Sequence, residues 1–433
     1  MNMICDNITV KHNNLYFADV NVCDMAKKYG TPLYLMDEER IRRNCRIYVN
    51  AMCKYFGDNA KALYASKAAS FKRIYEIIRE EGMGIDVVSS GEIYTALKAG
   101  FDLSEAYFHS NNKTDEDIEY AINNGIGYFV VDNEEELNVI NTVAEHKGII
   151  QPVLLRLTPG IDPHTYEAIN TGKVDSKFGS AIETGQAEKI TVLSISCKNI
   201  KLVGFHCHFG SLVFDSDVYM AASEIMLDFI ADMKNKYGFE TEILDIGGGY
   251  GVRYTENDPV IDIDANIKQV SEKIKSHCAK LNISVPAIRM EPGRSIVADA
   301  GMTLYTAGTV KIIPGYKSYV SIDGGMTDNP RFALYKSSYT LFAANKMNEE
   351  CDFECSVVGR CCESGDIIQE NVKLPSSVTR GDIIAVLTTG AYNYSMSSNY
   401  NRIGKPPVVM LSNGKDYIAV KRETLEDIAR NDI

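Results

Sequence analysis

Glu291-Pro292-Gly293-Arg294 puts a carboxylic acid and a guanidinium on one tight turn, directly after the apolar, strand-like run from Val285 to Met290. An acid beside a cation suits a ligand that is aromatic at one end and phosphorylated at the other. The acid can keep a ring nitrogen protonated, and the guanidinium grips oxyanions through paired N–H donors. Far upstream, Lys67 follows Ala62, Leu63, Tyr64 and Ala65 in the segment ALYASKAAS. A lysine at the mouth of such a strand is partly desolvated, which favours its neutral, nucleophilic amine and so covalent capture of an aldehyde. Gly247-Gly248-Gly249 adds three consecutive positions where the main chain can approach phosphate oxygens with no Cβ in the way. Acid, amine and glycine cradle together imply pyridoxal 5′-phosphate. A carboxylate at the pyridine nitrogen makes that ring a strong electron sink, which favours decarboxylation.

His206 and His208 stand two apart at the end of a strand-like run and therefore on one side of it, with Phe209-Gly210-Ser211 following. Such spacing suits a metal, but no acidic or cysteine third ligand accompanies the pair at a metal-like interval, so no metal is expected. Stacking on the cofactor ring fits His208 better, with Ser211 donating to the phosphate and His206 as a satisfied core histidine.

These residues need a scaffold that brings distant segments to one mouth. The middle of the chain alternates short β-like runs with amphipathic helical stretches. Strands are predicted at residues 61–66, 85–88, 106–108, 128–131, 153–157, 202–206, 243–246 and 288–291. Helical patterns lie between them at 71–81, 92–99, 115–123, 134–145 and 218–237, with turn signals such as Asn124-Gly125 where they end. Eight βα units over about 250 residues fit a TIM (β/α)8 barrel, an α/β fold, better than an open doubly wound sheet. On this count residues 247–249 follow strand seven and residues 291–294 follow strand eight, where such barrels commonly bind phosphate.

Beyond residue 300 the texture changes to β-rich runs at 303–313, 318–322, 354–358, 383–387 and 408–411, separated by Gly, Pro and Asp turns. The expected organisation is a cofactor-binding barrel over residues 36–300 and a second, mostly antiparallel β-barrel or sandwich domain over 301–433. Residues 1–35, with LYFADV, PLYLMD and a helical pattern only around 22–28, are expected to pack with that second domain.

Composition agrees with a large enzyme. A chain of 433 residues, 45% of them apolar, exceeds what one hydrophobic core usually serves. The net charge of −13, with 45 basic residues spread thinly, offers no tract that could follow a phosphate backbone, which argues against nucleic acid and anionic membranes. No apolar run approaches the roughly 20 residues of a bilayer span, and MNMICDNITV lacks the regions of a signal peptide, so a cytoplasmic location is expected. The 11 cysteines are scattered without zinc or disulfide spacing and are expected to be reduced thiols.

YASKA, HCHFGS, LDIGGGYG, MEPGRS, DNPRFALY, CCESGD and TTGAYNYSMSSNYN run in this order across nearly the whole chain. In these segments the sequence resembles the diaminopimelate decarboxylase family, which is similar in fold to alanine racemase and ornithine decarboxylase. The resemblance implies a pyridoxal-phosphate-bearing barrel with a C-terminal β domain, working as a head-to-tail homodimer with two shared active sites. It further implies Lys67 as the lysine bonded to the cofactor, His208 as the stacking ring and Glu291 as the pyridine partner. Ser211, Gly247, Gly248, Gly249, Gly293 and Arg294 become phosphate or cofactor contacts, Tyr392 a cofactor contact, and Asp86 and Arg156 the residues that orient Lys67 and the cofactor. Substrate contacts fall on Arg294, Arg331, Tyr335, Glu363 and Tyr392. Cys362, supplied by the partner subunit, becomes the catalytic proton donor.

The substrate that the resemblance implies, meso-2,6-diaminopimelate, carries a carboxylate and an ammonium at its distal end, and Arg331 with Glu363 can meet both. A decarboxylase of ornithine, arginine or carboxynorspermidine is the nearer alternative; an arginine would leave ornithine's lone amine facing a like charge. An amino-acid racemase would want a cation rather than Glu291 at the pyridine nitrogen. The chain departs from the usual family wording at Ser90 and Ser110, where glycines are expected near the cofactor rim. His164 and Lys177, in a loop that also resembles the family, receive no role.

Overall fold

The computed structural model describes residues 3–160 and 176–433, so His164 lies outside the described residues. Two compact units result. One comprises residues 44–251 and 260–293; the other gathers residues 1–43, 252–259 and 294–433.

The first unit is a closed barrel of eight parallel strands. In order round the barrel they are Lys61–Ala65, Gly84–Val87, Ala106–Phe108, Tyr128–Val131, Gln151–Thr158, Ile200–His206, Ile243–Asp245 and Ala287–Met290, the last pairing with the first. Each predicted strand is present, to within a few residues at its ends. The strands read as nearly continuous apolar runs because helices cover one face and the barrel interior the other. Leu63, Tyr107, Val130, Leu154, Val203 and Ile243 fill that interior, each buried, and such side chains contribute roughly 1.5–3 kcal/mol apiece.

Local signals set the helix ends. Asn133 caps Glu134–Lys147 by accepting from the Glu136 N–H, three glutamates occupy the first turn against the positive end of the helix dipole, and Gly148 closes the helix in a left-handed conformation. Ser216–Tyr237 is capped by Asp215 in the same way and ended by Gly238. Thr114 and Asp117 form a reciprocal capping box on Asp115–Asn123. Asp117 also accepts from the Ser90 hydroxyl at 2.7 Å, so the serine that replaces an expected glycine ties two helix starts together.

The second unit is a mostly antiparallel β domain. Its longest strand, Gly301–Ile313, pairs along its first half with Leu33–Asp37 and Ile383–Leu387, and along its second with Lys317–Ile322. The register shifts between Ala307 and Val310, which lets one strand serve both halves of the sheet. Leu33–Asp37 is flanked on its other side by Val408–Ser412 in parallel. Leu33, Leu35, Met302, Leu304, Ala385, Leu387 and Val409 interdigitate in the resulting core. All 11 cysteines are free thiols, and among the described residues no helix is long and apolar enough to cross a membrane.

Candidate active site

Titratable side chains concentrate at the C-terminal ends of the barrel strands, the end where this architecture places chemistry. Asp86 is the third residue of Gly84–Val87, Arg156 lies near the end of Gln151–Thr158 and His206 closes Ile200–His206. His109 and Glu291 immediately follow Ala106–Phe108 and Ala287–Met290. Lys67 sits on a single 3-10 turn, Ser66–Ala68, just beyond the first strand; Ser66 and Ala68 are buried, whereas Lys67 is exposed.

Glu291 is 6% exposed and held from both sides. Nε2 of His109 lies 2.7 Å from Oε1, and Nε2 of His206 lies 3.2 Å from Oε2. The two imidazoles meet edge to face at 4.8 Å. Burial alone would push this carboxyl upward, but the two histidines outweigh it and hold the group well below the usual carboxylate range. Their own burial pushes both histidines down. A neutral imidazole whose Nε2–H donates to the carboxylate is sufficient, since hydrogen bonds to the charged form favour it. Ligand atoms of His109, His206 and Glu291 lie within 4.8 Å of one another, so His206 does have an acidic neighbour that its sequence spacing does not reveal. His206 Nε2 hydrogen-bonds Oε2 while His109 Nε2 lies at ion-pair distance from Oε1, so the trio reads as a clamp on the acid. His206 is buried, as expected of a core histidine, and its partner is the buried carboxylate of Glu291.

Asp86 and Arg156 are both buried, and their charges bear on each other and on Glu291. Arg156 stacks over Phe178 at 4.2 Å. Burial pushes Asp86 up to about 6, against the opposing pull of His109 and Lys67. As pH rises past the ordinary aspartate range, the unfolded chain sheds a proton that folded Asp86 keeps until about pH 6, so stability falls across that window. Asp86→Asn is expected to remove this loss. Denaturant unfolding between about pH 4 and 7 checks it: wild type should lose stability relative to the variant on going up, and parallel curves would refute the shift.

His208 is half-buried at the barrel mouth. Its enclosure, then the charges of Lys67 and Arg156, hold it well below the ordinary histidine range, so it presents a neutral flat ring. The glycines of residues 247–249 are required by space: a Cβ on Gly248 would lie 1.9 Å from the Glu291 carbonyl, and Gly249 adopts φ 123°. A Cβ on Gly293 would come within 2.9 Å of Ala65 Cβ. Ser211 lies one residue beyond Gly210 on the facing loop and is half-buried. A buried ionised acid, a lysine, a neutral ring and a cradle that excludes side chains fit pyridoxal phosphate.

Ser110, the second serine at an expected glycine, adopts φ 142°, a region that costs a side chain on the order of 1–3 kcal/mol. The buried Lys113 ammonium bonds the Ser110 carbonyl at 3.2 Å, Val130 O at 2.8 Å and Glu136 at 2.7 Å. It thereby fastens the loop that carries His109. Lys177 lies 4.9 Å over the Phe178 ring and is exposed.

The β unit holds a cluster of its own. Arg331 is 3% exposed; it donates to Tyr339 Oη at 2.8 Å and Ser337 Oγ at 3.1 Å and lies 4.8 Å from the centre of the Tyr254 ring. Arg294 donates to Tyr254 Oη at 2.6 Å and lies 4.7 Å over Tyr392. Burial would push the Tyr254 phenol up, but Arg294 and Arg331 outweigh it and draw it down. Among the described residues no carboxylate lies within ion-pair distance of Arg331. Arg294, Arg331 and Tyr392 are therefore brought together around Tyr254. Tyr335, the last residue of the short helix Arg331–Tyr335, is half-buried. Cys362 and Glu363 are exposed on a separate turn; the Cys362 N–H donates to Asn401 Oδ1 at 2.8 Å, and Glu363 accepts from the Gly365 N–H at 3.1 Å.

Sequence reasoning missed His109, Tyr254 and Tyr339. His109 carried a usable signal, a histidine directly after a predicted barrel strand. Nothing distinguishes Tyr254 or Tyr339 among 25 tyrosines.

Comparison with known proteins agrees with this geometry. The family model described as pyridoxal-dependent decarboxylase, pyridoxal binding domain, matches residues 38–298. A diaminopimelate decarboxylase of Staphylococcus aureus (strain COL) is 44% identical over 428 residues, 98% of this chain and 100% of the relative. One of Bacillus subtilis (strain 168) is 42% identical over 423 residues, 98% and 96% of the two chains. The crystal structure of a diaminopimelate decarboxylase from M. jannaschii in co-complex with L-lysine superposes with a TM-score of 0.91 at 32% identity, covering 99% of this chain and 98% of that one.

Proposed function

We infer the roles of individual residues from a premise: the chain belongs to the diaminopimelate decarboxylases of the pyridoxal-dependent decarboxylase family, takes pyridoxal 5′-phosphate as cofactor and converts meso-2,6-diaminopimelate to L-lysine and carbon dioxide. When bound, that cofactor supplies the electron sink that accepts the pair left behind as carbon dioxide departs. The observation in this molecule that supports such chemistry is Glu291, buried yet held ionised, since only a charged acid keeps a pyridine nitrogen protonated.

Lys67 is assigned the cofactor's aldehyde, His208 the face of its ring, and Ser211, Gly249 and Arg294 its phosphate. Asp86 and Arg156 set the charge around Lys67. Arg331, a buried guanidinium whose protein partners are hydroxyls and aromatic faces, is suited to the distal carboxylate of the substrate, because a buried cation is tolerated best when an anion meets it. Glu363 is assigned the distal ammonium, and Tyr335 and Tyr392 line the substrate. The exposure of Cys362 and Glu363 accords with a role completed by a second copy of the chain. In a homodimer with shared sites, Cys362 Sγ of one protomer delivers a proton to the substrate's Cα at its partner's Lys67. A cytoplasmic location belongs to the same reading and is tested by cell fractionation.

Turnover of meso-diaminopimelate, ornithine and arginine tests the substrate assignment; activity on ornithine alone would overturn it. Arg331→Met is expected to raise KM for meso-diaminopimelate roughly 10- to 100-fold, the worth of a charge-assisted contact, without displacing the cofactor's visible absorbance. Arg331→Lys should not restore it, because an ammonium lacks the paired donors. An unchanged KM in a folded variant would remove Arg331 from the substrate.

A further inference from the structure

The three carbonyls of residues 247–249 are all engaged within the barrel unit. The Glu291 N–H donates to Gly247 O and the Val213 N–H to Gly249 O, each at 2.9 Å. The middle carbonyl, that of Gly248, is taken by a side chain: Tyr219 Oη donates to it at 3.2 Å. The loop's own donors divide differently. Gly247 N–H is committed to Asp245 Oδ1 at 2.8 Å, whereas among the described residues no acceptor meets the N–H of Gly248 or Gly249. In a trans peptide the carbonyl and the following N–H point in opposite directions. A donor fastening the Gly248 carbonyl from the helix side therefore turns the Gly249 N–H away from the protein's own acceptors, and the Glu291 N–H does the same for Gly248. Consecutive main-chain donors left in this state form an anion-binding concavity.

Tyr219 is well placed to enforce the arrangement. It is fully buried in the first turn of Ser216–Tyr237. It stacks on Tyr250 at 4.4 Å and meets Phe209 edge to face at 4.8 Å, and these residues flank Gly249 and Gly210. The two glycine loops close on each other beside its hydroxyl: a Cβ on Gly249 would lie 2.5 Å from Gly210 O and 3.4 Å from Tyr219 Oη. Burial pushes the phenol far above its ordinary range, so it stays a donor.

We propose that Tyr219 is a positioning residue for the cofactor's phosphate, its hydroxyl locking the Gly248–Gly249 peptide so that the Gly249 N–H faces the anion. The proposal rests on the reading that this barrel binds pyridoxal phosphate. Its test compares wild type and Tyr219→Phe, each stripped of cofactor and titrated by absorbance with pyridoxal phosphate and with pyridoxal, which lacks the phosphate. Tyr219→Phe keeps the ring and its stacking. It should weaken pyridoxal phosphate roughly three- to tenfold, the worth of one hydrogen bond, and leave pyridoxal within about twofold. Equal weakening of both ligands would mark a merely structural role and overturn the proposal, as would no change in either. A variant that fails to fold would overturn it too, since the hydroxyl would then determine the fold. Wild type that binds neither ligand would instead sink the cofactor reading itself.

Discussion

Lys67→Ala is expected to yield a folded protein without the visible absorbance of lysine-bound cofactor, without a borohydride-fixed adduct on the peptide bearing residue 67, and with decarboxylation reduced about 10³-fold or more. The size follows from position. Lys67 is the amine exposed at the barrel mouth on a turn whose other two residues are buried, and its charge bears on Asp86, His206 and His208. Alanine removes both the bond to the aldehyde and that charge while leaving Ser66 and Ala68 to hold the turn. The same variant tests the shared site. Mixed with Cys362→Ala, random re-pairing makes half of the dimers mixed, and each mixed dimer has one site with both native residues. About a quarter of wild-type activity should return if the two residues meet across an interface. No recovery would place Cys362 and Lys67 in the same protomer's site, and retained colour with full activity would contradict the assignment of Lys67.

Glu291→Gln should lower kcat roughly 10²- to 10³-fold, the cost of removing one preorganised charge from a developing transition state, while leaving the borohydride adduct on Lys67 intact. The substitution is nearly isosteric, so the fold has little to accommodate, but an amide cannot hold a pyridine nitrogen protonated. His109 and His206, set against the two carboxylate oxygens at 2.7 and 3.2 Å, would each face an amide in place of a charge. The bound cofactor's absorbance should consequently become pH-dependent in the range where wild type is flat. A kcat within about threefold of wild type would show that the acid is not the pyridine's partner.

Much of the barrel was legible because its signals are local. Apolar runs such as ALYA and YFVV, punctuated by Asn124-Gly125, reflect burial on both faces, and their spacing counts out eight strands. Lys67, the glycines of residues 247–249 and Glu291 stood out for a related reason: each sits just beyond a strand end, where position and residue type agree. What escaped depends on the path of the chain rather than on its text. His109 and His206 meet Glu291 across the barrel from segments separated by 182 and 85 residues, and no periodicity encodes that meeting. Tyr254 was invisible because its neighbours Arg294 and Arg331 reach it only after the β unit has gathered three stretches of chain. Ser110 was legible as a departure, but the left-handed backbone it must tolerate appears only in three dimensions.

The assembly of that β unit from separated stretches has a consequence for biosynthesis. Leu33–Asp37 is entirely buried in the finished protein and apolar up to Asp37, yet Met36 finds its first strand partner only at Gly301, 265 residues later. At roughly 5–20 residues per second, that strand leaves the ribosome some ten to fifty seconds before the first strand that pairs with it. For that interval the nascent chain exposes an adhesive edge. The barrel sequence emerges before those later strands and can close on its own contacts, so the earliest part of the chain to be made is among the last to find its place.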